Sequence, residues 1–285
     1  MTILDLNNLG AILYKKSLSD ITNQLITSID SDATLGYDGT LYFASNNGVV
    51  ALSAYPQLNV RWKYKKETDE RNGPVSLSRD ESKAFFINVD TKKEKGRLVM
   101  LDNTDGTVLA TSGDVLKHYK SDKEKYYIPA PVFSKKKEKE IVFVLDGYDE
   151  ANQLFVFDVK SETLSDPDII TSGQNINMGI SQPAIDGEGN VFFVFNEKIA
   201  RYNPKNDNLI TTFEGSPNMD TASILVTDKS SNIYALNPYK RIEGDTSYGS
   251  PKVVGFTYDN DNKFTHTFTD SISANIRKSL VLAPD

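Results

Sequence analysis

The sequence predicts an all-β fold, a β-propeller of four-stranded antiparallel blades, on three observations. Four short apolar runs separated by Gly, Asn, Asp and Pro recur in the same order along the chain. The aspartates at the first turn of the pattern, Asp38 and Asp80 and again Asp186 and Asp228, stand 42 residues apart, the length of one propeller blade. The 14 Tyr and 14 Phe, against one Trp and four Met, suit pleated surfaces better than helices. A β-sandwich also has closely spaced strands, but it does not need one four-strand order repeated.

The copies follow in order. The first, "ATLGYDG", "TLYFAS", "GVVALSA" and "VRWKYK", spans 31–66. The second leads from "PVSLSRDESKAFFINVD" to "GRLVMLDNTDGTVLAT" over 74–112. The third (128–171) has its turn near Lys137, the fourth (181–214) is the most compact, and the fifth (221–269) carries an insertion. "SLVLAPD" at 279–285 reads as a first strand, and "TILDLNNLGAILYKK" at 2–16 as a third strand, turn and fourth strand. Together, 272–285 and 2–18 make a sixth blade shared between the termini, which removes an exposed sheet edge. That joined blade lacks a second strand. The expectation is therefore one domain over 1–285 with about six blades, or a segment of a propeller of seven or eight.

A net charge of −7 opposes a nucleic-acid partner, because phosphate binding needs a concentrated positive field. "KKKEKE" (135–140) mixes both signs and reads as a solvated hairpin tip, and "KHYKSDKEKYY" (117–127) as an exposed loop. The absence of cysteine excludes disulfides, thiolate metal sites and a cysteine nucleophile. No run approaches the ~18 apolar residues of a membrane span, so direct membrane insertion is not expected. At the N-terminus no basic n-region, apolar h-region and cleavage site follow in series.

The turn and strand residues carry a resemblance. Asp38, Gly39, Tyr42, Gly48, Ala51, Leu52 and Trp62 in the first copy match the repeat of the PQQ-like β-propellers. Gly96, Leu101, Asp102 and Gly106 continue it in the second, and Asp186, Gly187, Asn190 and Phe192 in the fourth. The chain thus resembles a family that includes quinoprotein dehydrogenases and the outer-membrane assembly lipoprotein. The resemblance implies a propeller and a periplasmic, cell-envelope or extracellular setting. It also implies that PQQ is not bound here, since docking tryptophans recur in most blades of the enzymes and only Trp62 is present. The vicinal disulfide of alcohol-oxidising members is impossible without cysteine.

Few residues suggest chemistry. His118 and His266 lie in different copies with no second histidine at metal spacing. The acidic loops "DGYDEANQ" (146–153) and "YDNDNK" (258–263) lack the spacing of a calcium loop and read as hairpin turns. "YGSP" (248–251) matches a nucleophile elbow only in outline. The expectation is no cofactor and no metal. What remains is the face formed by the loops that lead into the first strands. These bring Asp32, Arg71, Asn72, Tyr127, Asn177, Asn218, Asp220, Asn275 and Arg277 to one end of the channel. The insertion 237–251 adds Tyr239, Arg241 and Tyr248, of types favoured at interfaces. The reading is a non-enzymatic scaffold for a protein or peptide partner; the alternative is a quinoprotein-type enzyme, intact or degenerate, with its ligand at the channel mouth.

Overall fold

The structure is a computed structural model, and it describes residues 2–5, 11–116, 128–136, 139–146, 153–170, 183–195, 198–206, 208–210, 224–227, 232–237, 252–258 and 264–271. The chain starts with an antiparallel hairpin of β1 (Thr2–Asp5) and β2 (Ala11–Lys15), followed by a short helix, α1 (Leu18–Thr22). Blade 1 comprises β3 (Thr34–Leu35), β4 (Leu41–Ser45), β5 (Gly48–Leu52) and β6 (Val60–Lys65). Blade 2 comprises β7 (Glu70–Asn72), β8 (Ser76–Leu77), β9 (Lys83–Asp90), β10 (Lys95–Asp102) and β11 (Val108–Thr111). Blade 3 comprises β12 (Val132–Lys136), β13 (Lys139–Asp146), β14 (Gln153–Val159) and β15 (Asp168–Ile170). Blade 4 comprises β16 (Ala184–Ile185), β17 (Val191–Phe195), β18 (Lys198–Asn203) and β19 (Asn208–Ile210). Blade 5 comprises β20 (Ile224–Thr227), β21 (Ile233–Asn237), β22 (Lys252–Tyr258) and β23 (Phe264–Ser271).

Each blade is an antiparallel meander in sequence order, so the four-run pattern is one sheet read along the chain. Successive side chains of a strand point to opposite faces, and in blades 1 to 4 both faces are buried. On β4 and β5, Tyr42, Ala44, Val49 and Ala51 face blade 2, where Ala84, Phe86, Val99 and Leu101 meet them. Their neighbours Phe43, Val50 and Leu52 face the other way and are covered by Leu18, Ile21 and Ile26 in and after α1. Blade 2 then turns Phe85, Ile87, Leu98 and Met100 toward Val142, Val144, Phe155 and Phe157 of blade 3. Blade 3 presents Ile141, Phe143, Leu154 and Val156 to Val191, Phe193, Ala200 and Tyr202 of blade 4. Blade 4 presents Phe192, Val194 and Ile199 to Ile233, Ala235 and Phe256 of blade 5. Double-sided burial explains why the middle strands are continuous apolar runs and not alternating ones. Each fully buried phenylalanine, such as Phe43, Phe86 or Phe143, contributes about 1.5–3 kcal/mol.

The first strands sit at the free inner edge of each sheet and gather about a common axis: β12 approaches β8 and β16, and β16 approaches β20. Hydroxyls of the inner strands stitch one blade to the next. The Thr34 hydroxyl donates to the Val75 carbonyl at 2.5 Å, Ser76 donates to Pro131, and Ser134 donates to Gly189 at 3.1 Å. Thr34 and Ser76 each stand four residues before a turn aspartate, so the same bond recurs by repeat.

Two features depart from the sequence reading. The stretch 68–73 is not all loop, because Glu70–Asn72 pairs with Asn88–Asp90 of β9 as the first part of the inner strand. Pro74, lacking an N–H, interrupts the ladder before β8 resumes it. The helix α1 was not foreseen. Ser17 caps it by accepting from the Asp20 N–H at 3.1 Å, and its apolar side covers blade 1. The expected closing strand at 279–285 lies outside the described residues. Among those described, no helix is long and apolar enough to cross a membrane.

Trp62 is the most specific lock between blades. Its ring lies tilted beside Tyr42 at 5.8 Å, and its indole N–H donates to the Asn103 carbonyl of blade 2 at 2.9 Å. Asn103 in turn donates to the Tyr42 hydroxyl and the Glu81 carbonyl. Gly106 lies under the indole with φ +79°, and a Cβ there would fall 2.8 Å from Trp62 Cβ. Gly106→Ala is expected to cost about 1–3 kcal/mol in urea unfolding followed by circular dichroism. Trp62→Phe is expected to cost a similar amount, about 1–3 kcal/mol, by leaving the Asn103 carbonyl without its donor. The double variant is expected to cost less than the sum, since each change removes part of the same contact.

Candidate functional site

The site is built by the turns that join the first and second strands. Among the described residues, those of blades 1, 2 and 4 are each held by an aspartate that accepts from donors within its own turn. Asp38 Oδ1 accepts from the Thr40 N–H at 2.9 Å. Asp80 Oδ1 accepts from the Ser78 hydroxyl at 2.7 Å, the Ser82 hydroxyl at 2.9 Å and the Ser82 N–H at 3.1 Å. Asp186 accepts from the Glu188 and Asn190 N–H groups, both at 2.9 Å, and from the Asn190 amide at 2.8 Å. Short Asx-type bonds of this kind fix a turn without help from the neighbouring blades. At Asp38 and Asp80 they also favour the charged carboxylate. Asp38 titrates below the ordinary range because of Thr40 and, secondarily, Arg61, whose guanidinium lies 2.6 Å away. Asp80 is lowered to about 2, chiefly by the Ser78 hydroxyl and further by Ser82.

Between these turns, at the end of the channel where the first strands finish, lies a cavity of about 1040 Å³. Blade 1 lines it with Thr34, Leu35 and Tyr37, blade 2 with Ser78, Arg79 and Glu81, and blade 3 with Phe133 and Ser134. Blade 4 adds Asp186, Glu188 and, from the turn between its third and fourth strands, Lys205. Many of these groups are already committed. Thr34 and Ser134 bridge blades, Ser78 and Asp186 hold turns, and Glu81 Oε1 accepts the Tyr37 N–H at 2.7 Å. Among the described residues, four lining groups have no bond or ion pair: the Tyr37 hydroxyl, the Arg79 guanidinium, the Glu188 carboxylate and the Lys205 ammonium. Leu35 and Tyr37 form an apolar lip, 69% and 92% exposed.

Three of the twelve residues expected at a binding face are described, and all lie at the opposite end of the inner strands from this cavity. Asp32 is exposed in the segment before β3, and Arg71 is exposed on β7. Asn72 is buried between blades 1 and 2, where its carbonyl oxygen accepts from Asn88 at 2.9 Å. Asn88 also donates to Glu70 at 3.1 Å, and Glu70 is paired with Arg97. Asn72 thus belongs to a buried interblade polar row. Tyr127, Asn177, Asn218, Asp220, Asn275 and Arg277 lie outside the described residues, as do Tyr239, Arg241 and Tyr248 of the insertion, His118 and most of both acidic loops. His266 falls on β23, the outer strand of blade 5. Among the described residues no group of three or more His, Cys, Asp or Glu side chains is placed to hold a metal ion.

The cavity residues Tyr37, Arg79, Glu188 and Lys205 escaped the sequence reading because they sit in segments that read as turn chemistry. One signal was present: "LGYDG" and "LSRDES" put a large or cationic side chain just before the turn aspartate, where a turn has no structural need of one.

Among the described lining residues, the aromatic rings are not arranged as a pair that could sandwich a quinone. The Phe133 ring is engaged with Phe85 at 5.9 Å and 23°, and Tyr37 projects into solvent. The turn electrostatics yield a pH prediction. The folded-state value of Asp80 lies below the unfolded value of about 3.9, so its contribution is present above about pH 4 and is lost as pH falls to about 2. Asp80→Asn is expected to cost roughly 0.5 kcal/mol near neutrality, the group being exposed and screened. Thermal unfolding of both proteins at stepped pH is expected to show that difference shrinking across this window.

No protein-family profile and no curated protein matches the sequence. Solved structures do. The periplasmic gluconolactonase of Pseudomonas aeruginosa is similar with a TM-score of 0.59 at 13% identity, over 95% of this chain and 78% of that one. A functionally unknown protein of Desulfotomaculum acetoxidans gives 0.56 at 12% identity, over 86% and 71%. The PQQ domain of pyranose dehydrogenase from Coprinopsis cinerea gives 0.52 at 12% identity, over 88% and 81%. At such identities the likeness is one of architecture, and it establishes that this chain is a β-propeller sharing the fold of the PQQ-like propellers.

Proposed function

We propose that the protein is a non-enzymatic binding module that takes a peptide segment of a protein partner at the mouth of its channel. The observation that carries this reading is the cavity of about 1040 Å³ with Leu35 and Tyr37 exposed at its lip. Wide, mixed-polarity hollows with a few convergent polar groups are typical ligand sites. Exposed tyrosine beside such a hollow is a common anchor in protein recognition. Leu35 and Tyr37 contribute little to the fold, since their side chains stand in water. The turn aspartates are bound to their own turns, which opposes a role for them as acid or base. This reading puts the peptide at the end lined by the turns, whereas the sequence favoured the loops leading into the first strands, most of whose candidate residues lie outside the described ones.

The test is selection from a library of short synthetic peptides against the purified protein. Leu35→Ser combined with Tyr37→Ser is expected to weaken the selected peptides by about tenfold or more, with no change in thermal unfolding. Binding that survives the double variant overturns the reading. Saturable binding of added quinone with dye-linked alcohol oxidation overturns it in favour of an enzyme.

A further inference from the structure

We infer that the channel mouth recognises a carboxylate on its peptide, and that Arg79 is the residue that reads it. The inference rests on the binding reading above and deepens it. Its basis is a separation of the polar groups around the cavity into those the fold consumes and those it leaves over.

Asp186 is consumed by three donors of its own turn, Glu81 by the Tyr37 N–H, Ser78 by Asp80, and Thr34 and Ser134 by carbonyls of the next blade. Among the described residues, subtracting these leaves two cations, Arg79 and Lys205, against one anion, Glu188, together with the Tyr37 phenol. In a chain of net charge −7, an excess of unused positive charge inside this hollow runs against the overall field. Other arginines show the contrast: Arg61 is bonded to Asp38 and Arg97 to Glu70.

Arg79 has an acidic neighbour in sequence, Asp80, yet does not pair with it. The Asp80 oxygen that faces the turn is held by the Ser78 hydroxyl and by the Ser82 N–H and hydroxyl. The turn is thereby fixed while the guanidinium remains available. A guanidinium presents a planar fork of donors that matches a carboxylate in bidentate fashion, which a lone ammonium does not. Lys205, reaching the cavity from blade 4, adds charge without that geometry. Glu188 supplies the acceptor for an N–H of the same peptide, and Leu35 with Tyr37 receives an apolar side chain. Carboxylate, N–H and apolar group together describe a peptide whose carboxylate is either its chain end or an acidic side chain.

The experiment uses the selected peptides in three forms: free acid, C-terminal amide, and with Asp and Glu replaced by Asn and Gln. Each is titrated by fluorescence anisotropy against the wild type, Arg79→Gln, Arg79→Lys and Tyr37→Ser. Trp62 emission verifies that the contact between blades 1 and 2 is intact in every variant. Arg79→Gln is expected to weaken carboxylate-bearing peptides roughly 10–100-fold and to leave already neutralised ones unchanged. Arg79→Lys is expected to restore only part of that loss. Loss on amidation identifies the chain end, and loss on Asn/Gln replacement identifies an acidic side chain. Peptide binding that depends on Tyr37 but is indifferent to Arg79→Gln overturns the inference and leaves the binding reading standing. Peptide binding indifferent to both Tyr37→Ser and Arg79→Gln overturns the two together.

Discussion

Each of blades 1 to 4 hides both of its faces, and most of the described structure depends on that constraint. A sheet buried on one face can alternate apolar and polar side chains, whereas a sheet between two neighbours cannot. Here adjacent residues of a single strand serve different cores: Phe85 packs toward blade 3 and Phe86 toward blade 1, and Phe192 toward blade 5 and Phe193 toward blade 3. A slip of one residue in any middle strand would exchange the two sets, so the register is fixed from both sides at once. Blade 1 meets the constraint differently, with α1 and the residues after it covering Phe43, Val50 and Leu52.

Apolar packing alone does not set how neighbouring blades are rotated against each other; directional bonds at their edges do. Near the axis, Thr34, Ser76 and Ser134 each reach a carbonyl of the following blade. Farther out, Trp62 reaches over Gly106 to the Asn103 carbonyl, and Asn103 returns a bond to Tyr42. At the other end of the same seam, Glu70, Asn88 and Arg97 form a buried polar cluster in place of apolar contact. Such a cluster is poor evidence for added stability.

The architecture was readable from the chain because its causes are local. Turn residues such as Asp38, Asp80 and Asp186 act within their own few residues, and the double-sided burial writes itself into each strand as an unbroken apolar run. The helix α1 was missed because five residues carry too short a period to register, and β7 because Glu70–Asn72 is polar. The polar character of β7 comes from its place in the seam, a fact about blade 1 as much as blade 2. The cavity was missed for a related reason. Tyr37, Arg79, Glu188 and Lys205 come from three different blades, and only the rotation between blades brings them together. Nothing near any one of them in sequence encodes that meeting.

This separation has a consequence for what likeness of fold can teach. The groups that hold the turns and seams bond within one turn or between adjacent blades. The groups left over at the channel mouth hold nothing, so they can be exchanged without disturbing a strand or a turn. A propeller can therefore keep its architecture while the chemistry at its mouth drifts freely. That is the physical reason a gluconolactonase and a dehydrogenase domain can share this fold at 12–13% identity. It is also why the identity of a ligand has to be argued from Arg79, Glu188, Lys205 and Tyr37, and not from the ring of sheets that carries them.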